Sequence, residues 1–517
     1  MPKCTINGQP VEVKQGATII EAFKQLGTDI AHYCWHPALS VAGVCRLCMV
    51  QIEGQPKLQI ACNTAVTEGM VINNVADPVK EAVRWGMDFH LINHPLDCPI
   101  CDQAGECGLQ EQYMKYGQYD PEMAEPKVKK RKVVDLGPTV VLDTERCILC
   151  SRCVRFTEEI SKTNELRIVN RGDKSEIGTY VDKPLNNNYS VNTIDICPVG
   201  ALTSKDFRFR QRTWYLKSAP TICTGCSTGC NTSAYYNEEG AFRMKPIHND
   251  EVNGYWMCDK GRDVYKFVNR DARIVKAKKG SVGQWQQLDP GAAAKEVGES
   301  LRAAMKKNPA SVALVVTGQY MNEEYKALFD FFVKENGIKN VSHWINNPED
   351  FESFDGLLFR GDRNPNTKGL LQTMSASGAG LEWPALQDML NKGQIEYLVV
   401  AGPENNDVFP DLANRLQLFS KARNLVFLTA GKSEALDNVT TPTFQIPMKV
   451  YLEKTGTYTN FKGLEQKVQR ATTFVAQALT LEETVNLMSG KELDLNLRPV
   501  APKDLKTNYL IRAPGAL

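Results

Sequence analysis

Every cysteine of this 517-residue chain lies before residue 259, and fifteen of the sixteen fall into groups with metal-ligand spacing. The groups are Cys34, Cys45, Cys48 and Cys62; Cys98, Cys101 and Cys107; Cys147, Cys150, Cys153 and Cys197; and Cys223, Cys226, Cys230 and Cys258. The second lacks one ligand, and His94 stands four residues upstream of Cys98 to complete it. Four groups of four then leave only Cys4 over. The third and fourth groups must also draw in a ligand distant in sequence, Cys197 and Cys258, so these sets constrain the fold more than any propensity does. An iron–sulfur cluster needs four such ligands, and the arithmetic points to a carrier of four clusters.

The bulk composition sets wide limits. A chain of this length exceeds one hydrophobic core, and three or more domains are expected. A net charge of +1 implies neither nucleic acid nor an anionic membrane as a partner. No apolar run approaches the roughly 20 residues that span a bilayer, so membrane association is expected only through partners. The opening MPKCTINGQPVEV has no apolar signal core, and export is not expected. Without export, close C-x-x-C pairs suit metal rather than disulfides. Spacing alone keeps zinc open as a rival for any single group.

The first half reads as short mixed elements. Thr5-Ile6 and Val11–Val13 flank the turn Asn7-Gly8. Ile19, Ile20, Phe23 and Leu26 form one helical face behind Thr18, and Met49–Ile52 and Gly69–Ile72 read as strands. A helix is expected over 78–94, opening at Pro78 with Val79, Val83, Met87 and Leu91 as its stripe and His90 and His94 near its end. The stretch 114–138, with basic Lys127, Lys129, Lys130, Arg131 and Lys132, reads as a solvated linker, with a nucleic-acid patch as the sharper alternative. Beyond 272, the apolar runs Ser311–Thr317, Ile395–Ala401 and Asn424–Thr429, with helical stretches at 322–335 and 407–421, predict a parallel sheet covered by helices. No G-x-G-x-x-G or P-loop supports a nucleotide site.

The spacings separate the groups. Cys34-x10-Cys45-x2-Cys48-x13-Cys62 echoes plant-type ferredoxins with a longer first gap, and is assigned [2Fe–2S]; Gly43 suits a loop curled around sulfide. In NHPLDCPICDQAGECGLQ, the missing ligand raises His94 above a plain core histidine. His90 is its competitor, disfavoured because His94 is nearer Cys98 and Pro95 breaks the helix after it. Cys147-x2-Cys150-x2-Cys153 with a remote Cys197-Pro198 is half of a two-cluster ferredoxin pattern. Thr157 stands where the first run's fourth cysteine would be, and Asn187, Ser190 and Thr193 where the second trio would be, so one [4Fe–4S] site survives. Cys223-x2-Cys226-x3-Cys230-x27-Cys258 resembles the small [4Fe–4S] domain that precedes the pterin domains of molybdenum and tungsten oxidoreductases.

Taken in order, HYCWHPALSVAGVCRLCMV, NHPLDCPICDQAGECGLQ, RCILCSRCVRF, DICPVGAL and ICTGCSTGC resemble the large peripheral-arm iron–sulfur subunit of respiratory complex I, called the G subunit in bacteria and the 75-kDa subunit in mitochondria. The resemblance covers 1–272; EKTGTYTNFKGLEQ at 453–466 is similar to a stretch of pterin-dependent oxidoreductases. It implies a multidomain α+β and α/β chain. The expected segments are a β-grasp [2Fe–2S] ferredoxin-type domain at 1–78, a histidine-plus-three-cysteine [4Fe–4S] segment at 79–118 and a [4Fe–4S] ferredoxin-like domain at 138–212. A molybdenum-oxidoreductase-type [4Fe–4S] domain at 216–272 and a shortened molybdopterin-oxidoreductase-like α/β remnant at 273–517 follow.

The function so implied is an electron relay in NADH–quinone oxidoreductase, coupled in the whole complex to proton translocation. The sixteen ligands would hold one [2Fe–2S] and three [4Fe–4S] clusters, with no catalytic residue, complete NADH or quinone site, FMN, pterin or molybdenum in this chain. The implied partners are the flavin- and NADH-binding subunit with its [2Fe–2S] companion, a two-cluster ferredoxin-like subunit and the quinone-module subunits, but no nucleic acid. The place would be peripheral, on the cytoplasmic side of a bacterial membrane or the matrix side of a mitochondrial one. The His94 and Cys147 groups would lie on the main path and the Cys223 group off it. Rival readings are a subunit of a soluble NAD-linked formate dehydrogenase, an iron-only hydrogenase, and a scaffold whose metal is structural.

Overall fold

The structure is a computed structural model that describes residues 1–123, 125–180 and 182–493. It divides into two compact units, Met1–Leu216 and the chain from Lys217 onward. The expected segments 1–78, 79–118 and 138–212 fall in the first; those at 216–272 (from Lys217) and 273–517 fall in the second, with 494–517 outside the described residues.

The first unit opens with β1 (Lys3–Ile6) and β2 (Gln9–Glu12), paired antiparallel. Asn7 and Gly8 join them, both at positive φ, as a two-residue turn matched to strand twist requires. Helix α1 (Ile19–Gln25) starts at Thr18, whose N–H and hydroxyl both donate to the Glu21 carboxylate. It buries Ile19, Ile20, Ala22 and Phe23. Strands β3 (Met49–Ile52), β4 (Gln59–Ile60) and β5 (Met70–Asn73) complete a sheet ordered β2-β1-β5-β3-β4, with β1 and β5 parallel. Cys4 on β1 is buried in this sheet's core.

Helix α2 (Asp77–Leu91) buries Val79, Val83 and Met87. It ends three residues short of the expected 94. The residue before a proline is pushed out of helical backbone, so His94, ahead of Pro95, stands in the following loop while His90 stays on the helix. Helix α3 (Gly108–Tyr116) occupies the start of the expected linker. The basic run is exposed at Lys127, Lys129, Arg131 and Lys132, as a solvated stretch would be, but it is tied down rather than free. Lys127 Nζ donates to the carbonyls of Leu91 (2.8 Å) and Ile92 (3.1 Å), closing the end of α2. Lys130 Nζ bonds Ser175 O, Arg131 pairs with Glu176, and Lys132 pairs with Asp97.

Strands β6 (Val134–Asp135) and β7 (Val140–Leu142), short helix α4 (Arg152–Arg155), hairpin β8 (Leu166–Val169) and β9 (Glu176–Thr179), helix α5 (Asn192–Asp195) and β10 (Leu202–Ser204) finish the unit. A three-stranded sheet, β10-β7-β6, underlies the Cys147 and Cys197 loops.

In the second unit, β11 (Lys217–Ile222), β12 (Asn231–Tyr236) and β13 (Ala241–Pro246) form an antiparallel sheet, followed by one helical turn, α6 (Asp259–Arg262). Next come β14 (Ala277–Gly280), β15 (Gln286–Leu288), α7 (Pro290–Lys307), β16 (Val312–Thr317), α8 (Asn322–Phe329), β17 (Val341–Trp344), α9 (Thr367–Ser377) and α10 (Trp383–Asn391). Then come β18 (Tyr397–Ala401), α11 (Leu412–Phe419), β19 (Asn424–Thr429), α12 (Glu434–Asp437) and β20 (Thr443–Pro447). The hairpin β21 (Gly456–Thr459) and β22 (Glu465–Val468) and helix α13 (Leu481–Met488) close the described chain.

The central sheet runs β15-β14-β20-β19-β18-β16-β17, and its five strands from β17 to β20 are parallel. The three apolar runs read from the sequence are β16, β18 and β19. Both sheet faces carry apolar clusters, as a parallel sheet requires.

A buried carboxylate locks the segment after β20. Glu453 accepts from Arg273 (2.9 Å), from the backbone N–H of Val450 (3.0 Å), and from those of Phe474 (2.7 Å) and Val475 (2.8 Å). Arg273 and Glu453 side chains are fully buried. Breaking such a pair from one side strands a buried charge. Glu453→Ala is therefore expected to destabilise the second unit by about 3–5 kcal/mol, measured by chemical denaturation; an unchanged midpoint would refute the hub role.

Candidate metal centres

The first group surrounds the end of the sheet. Cys34 follows α1 in a loop, Cys48 directly precedes β3, and Cys62 follows β4; all four thiols are buried. Gly43 and Arg46 both take positive φ, curling the loop that carries Cys45. The thiols sit as two hydrogen-bonded pairs. Cys34 is pulled down to about 5 by its bond with Cys45, which is pushed up in return. Cys62 is lowered by its bond with Cys48, which is raised. Cys34 also acts electrostatically on Cys48 and Cys62, so the two pairs share one pocket. The Tyr33 N–H donates to Cys45 Sγ at 3.4 Å.

In the second group Cys98 opens a single 3-10 turn, Cys101 ends it, and Cys107 caps α3. Burial raises Cys107 most, and both Cys101 and Cys98 act on it through charge, so the three thiols lie together. Cys98 is exposed. His94 lines a cavity of about 280 Å³ with His90, Asn93, Cys147 and Ile148, whose walls do not include the three thiols. Its Nδ1 is buried without a partner. Burial first, then the Arg146 cation, lowers its pKa to about 4, leaving a neutral imidazole. His90 is already satisfied: its Nδ1 bonds Gly86 O at 2.6 Å and its ring meets Tyr33 edge-on.

In the third group Cys150 and Cys153 are buried and Cys147 and Cys197 half-buried. Cys147, Cys150, Cys153 and Cys197 line one cavity with Leu142, Ile177, Val199 and Leu202. Leu149 and Ser151 take positive φ, so the loop winds tightly before Cys153 enters α4. Burial raises Cys147 to about 12 and Cys150 to about 11. The Leu149 N–H donates to Cys147 Sγ at 3.4 Å. Thr157, Ser190 and Thr193, at the places a second cluster's ligands would take, are buried with their hydroxyls bonded to the carbonyls of Val154, Asn187 and Ser190. Asn187 donates from its amide to Glu165.

The fourth group joins the β11–β12 turn to α6, whose first turn Cys258 caps. All four thiols are buried. Cys223 N–H bonds Cys230 O at 2.8 Å, Gly225 N–H donates to Cys223 Sγ at 3.4 Å, and Gly261 N–H to Cys258 Sγ at 3.3 Å. A Cβ on Gly261 would stand 2.9 Å from Cys223 Sγ. The turn is clasped by the hairpin region: Phe461 N–H bonds Ser227 O, and Gln466 Nε2 bonds Gly229 O.

All sixteen cysteines are free, which removes the disulfide reading. Among the described residues no three His, Cys, Asp or Glu side chains stand at the spacing that holds a single metal ion. Each cysteine set nevertheless converges on one place, and buried sulfur with N–H donors aimed at it suits iron–sulfur ligation.

The sequence reading missed the cations around the sulfurs. Arg146, which acts on Cys101, pairs with Asp97 (2.9 Å) and Asp143 (3.2 Å). Arg155 donates to the carbonyls of both Cys34 (2.6 Å) and Cys150 (3.2 Å). Arg363 feels the charges of Cys226 and Cys258. The signal was present in RCILCSRCVRF, where arginines alternate with ligands, but their direction was not.

Four known families match this chain. Residues 3–77 match the 2Fe-2S iron-sulfur cluster binding domain, 86–122 the NADH-ubiquinone oxidoreductase-G iron-sulfur binding region, 137–203 the ferredoxin-like domain of NADH-quinone oxidoreductase subunit 3, and 216–270 the molybdopterin oxidoreductase Fe4S4 domain. The chain carries 2Fe-2S and 4Fe-4S binding domains and resembles the G subunit of NADH-quinone oxidoreductase. It is 41% identical to that subunit of Streptomyces coelicolor over 273 residues, 52% of this chain and 32% of the relative. It is 41% identical over 285 residues to the mitochondrial NADH dehydrogenase [ubiquinone] iron-sulfur protein 1 of Solanum tuberosum, 55% of this chain and 38% of the relative. A solved NAD+-reducing [NiFe]-hydrogenase chain is 27% identical at a TM-score of 0.37, covering 41% of this chain and 91% of that one. The chain spans between a third and a half of the length of the curated relatives it matches.

Gly200 marks how tightly two groups abut. A Cβ there would stand 2.2 Å from Cys101 Sγ and 2.9 Å from Gln103 Cβ. Gly200→Ala is expected to displace the Cys101 thiol and cost about 1–3 kcal/mol from overpacking. Comparison of thermal midpoints and of Cys101 thiol labelling between wild type and variant tests this; identical values in both would show that the loop yields freely.

Proposed function

We propose that this chain is the iron–sulfur relay subunit of an NADH–quinone oxidoreductase, passing electrons from a flavin module toward quinone. The observation that carries it is the ordered run of four cysteine groups, three of them tied together within one unit. Arg155 ties the loop of Cys34 to that of Cys150. The chain that leaves Cys197 then abuts the second group: Pro198 O lies against Cys107 Sγ, and Gly200 against Cys101 Sγ. A path from the first group through the third to the second therefore needs no moving part.

In this reading Cys34, Cys45, Cys48 and Cys62 hold one [2Fe–2S] cluster. His94, Cys98, Cys101 and Cys107 hold a [4Fe–4S] cluster, as do the Cys147 group and the Cys223 group. When bound, the clusters supply reversible one-electron acceptance. The chain's residues do the rest. Buried apolar walls exclude water, and N–H donors from Tyr33, Leu149, Gly225 and Gly261 stabilise negative sulfur. His94 is preferred over His90 because its Nδ1 is buried and unpartnered, whereas the Nδ1 of His90 bonds Gly86 O. Closing the second group would bring that imidazole onto the three thiols.

No described helix is long and apolar enough to cross a membrane. In this reading the chain sits peripherally and reaches the membrane through partners: the NADH- and flavin-binding subunit with its [2Fe–2S] companion on the entry side, and a two-cluster ferredoxin-like subunit with the quinone module on the exit side. The domain bounds 1–78, 79–118, 138–212, 216–272 and 273–517 are proposed with it.

Anaerobic iron and sulfide quantitation on the full chain should give about 14 irons for one [2Fe–2S] and three [4Fe–4S] centres. Cys150→Ala should remove one [4Fe–4S] EPR signal and stop turnover in the assembled complex, while Cys226→Ala should remove a different signal and spare most turnover. Zinc in place of iron, or full turnover in Cys150→Ala, would end this assignment.

A further inference from the structure

Two arginines, Arg155 buried and Arg152 half-buried, stand between the first and third groups with no carboxylate at ion-pair distance among the described residues. Arg155 is buried; its guanidinium donates to the carbonyls of Ser40, Cys34 and Cys150, and its Nε donates to Ser151 Oγ. Arg152, three residues earlier on the same short helix, donates to Trp35 O at 2.6 Å and to Ile196 O at 3.1 Å. Each fork thus bonds one carbonyl at or beside a ligand of the first group and one at or beside a ligand of the third. Neither meets a carboxylate among the described residues, whereas Arg146 near the second group meets two. Arg152 keeps a further donor, Nε, buried with no acceptor. The side chains that act on Arg152 through charge include Cys150, Cys197 and Cys34, drawn from both groups, and Arg155.

Neutral carbonyls satisfy the N–H groups but leave the net charge of each guanidinium uncompensated. An uncompensated cation in a low-dielectric setting is stabilised by nearby anions. The anions at this place are the ligand sulfurs, on the relay reading above the sulfide of two clusters, and, beyond ion-pair distance, the Glu159 carboxylate that bonds the N–H and hydroxyl of Ser40. We propose that Arg152 and Arg155 are positioning residues that fix the two ligand loops against each other and, as shared cations, raise the reduction potentials of both the Cys34-group and the Cys147-group clusters together. Reduction adds negative charge to a cluster, so a fixed cation favours the reduced state of each. One residue pair thereby keeps the two potentials in step while the electron passes between them. Planar arginine suits this double task, since lysine supplies the charge without the two-pronged bond.

The test is EPR-monitored redox titration of the full chain and of Arg152→Gln, Arg152→Lys and Arg155→Gln. Arg152→Gln should lower both midpoints, shifting each reduced-to-oxidised ratio at fixed ambient potential by about tenfold, which is about 59 mV for one electron. Arg155→Gln should act in the same direction. The Cys223-group midpoint should not move. Arg152→Lys should keep both midpoints near wild type while lowering the thermal midpoint, which separates charge from the clamp. Midpoints unmoved in Arg152→Gln with both signals present would overturn the inference and leave the relay reading intact. If Arg152→Gln fails to retain its clusters, Arg152→Lys decides alone: a fall in both midpoints despite the retained charge would overturn it. Absence of both signals in the wild type would instead sink the relay reading.

Discussion

The structure depends on taking most of its cysteine sulfur out of water. Burial raises Cys147 to about 12, Cys150 to about 11 and Cys258 to about 12, and also dominates at Cys153, Cys223 and Cys230. A bare thiol in such a place holds its proton, yet a ligand must give it up. The pockets are thus unfavourable for charge until cations enter them, and most favourable afterwards. Where a cysteine set joins remote segments, loading and folding would reinforce each other: Cys153 on α4 and Cys197 after α5 meet across a hydrophobic wall that neither segment builds alone.

The cysteine groupings are legible in the sequence because residue type and spacing are local in the text, whereas the structure does not bring His94 onto the thiols of its group. The Asn7-Gly8 turn, α1 behind Thr18 and the strands β16, β18 and β19 are legible for the same reason: turn chemistry and apolar runs are short-range signals. Other features are decided at long range. Periodicity carries α2 three residues too far, because it continues past the point that Pro95 forbids. The basic run at 127–132 reads as a solvated stretch, although Asp97, Ser175 and Glu176, far along the chain, bind it. Strands β17 and β20 escape notice because His343 and Gln445 interrupt their apolar residues. The arginine clamps are invisible for a plainer reason: their acceptors are backbone carbonyls, which every residue carries.

The three groups of the first unit differ in what surrounds them, and that difference has electrical meaning. The second group has Arg146 beside it, but Asp97 and Asp143 offset that cation, and Cys98 is exposed. A neutral His94 ligand would remove one negative charge there. On the proposed ligand sets the first and third groups would have no neutral ligand, and Arg152 and Arg155 would fill the corresponding role. Two different devices, one in the ligand set and one outside it, thus limit negative charge at successive sites. Tyr33 stands among them: its phenol is fully buried, bonds Met87 sulfur, and feels the charges of both Cys107 and Cys45.

The second unit places charge differently. In doubly wound sheets the crevice for ligands opens at the carboxyl ends of strands where their order reverses. Here that point lies between β16 and β18, because the chain passes from β16 out to β17 and then returns to the other side of β16. The segment after β18 enters it: Glu404 N–H bonds Gln319 Oε1 at 2.7 Å, and the Glu404 carboxylate bonds Lys454 Nζ at 2.6 Å, which also holds Glu324 at 2.6 Å. Glu404 further accepts from Tyr451 N–H, and it shares a small cavity with Thr224 and Gly225 of the fourth ligand loop. The chain's own ion-paired side chains thus fill the crevice and brace the Cys223 turn through the same segment, 451–466, that clasps it from the hairpin side. Filling the crevice and supporting that turn are one structural act, because Lys454 and Gln466 belong to a single stretch of chain whose two ends face the two places.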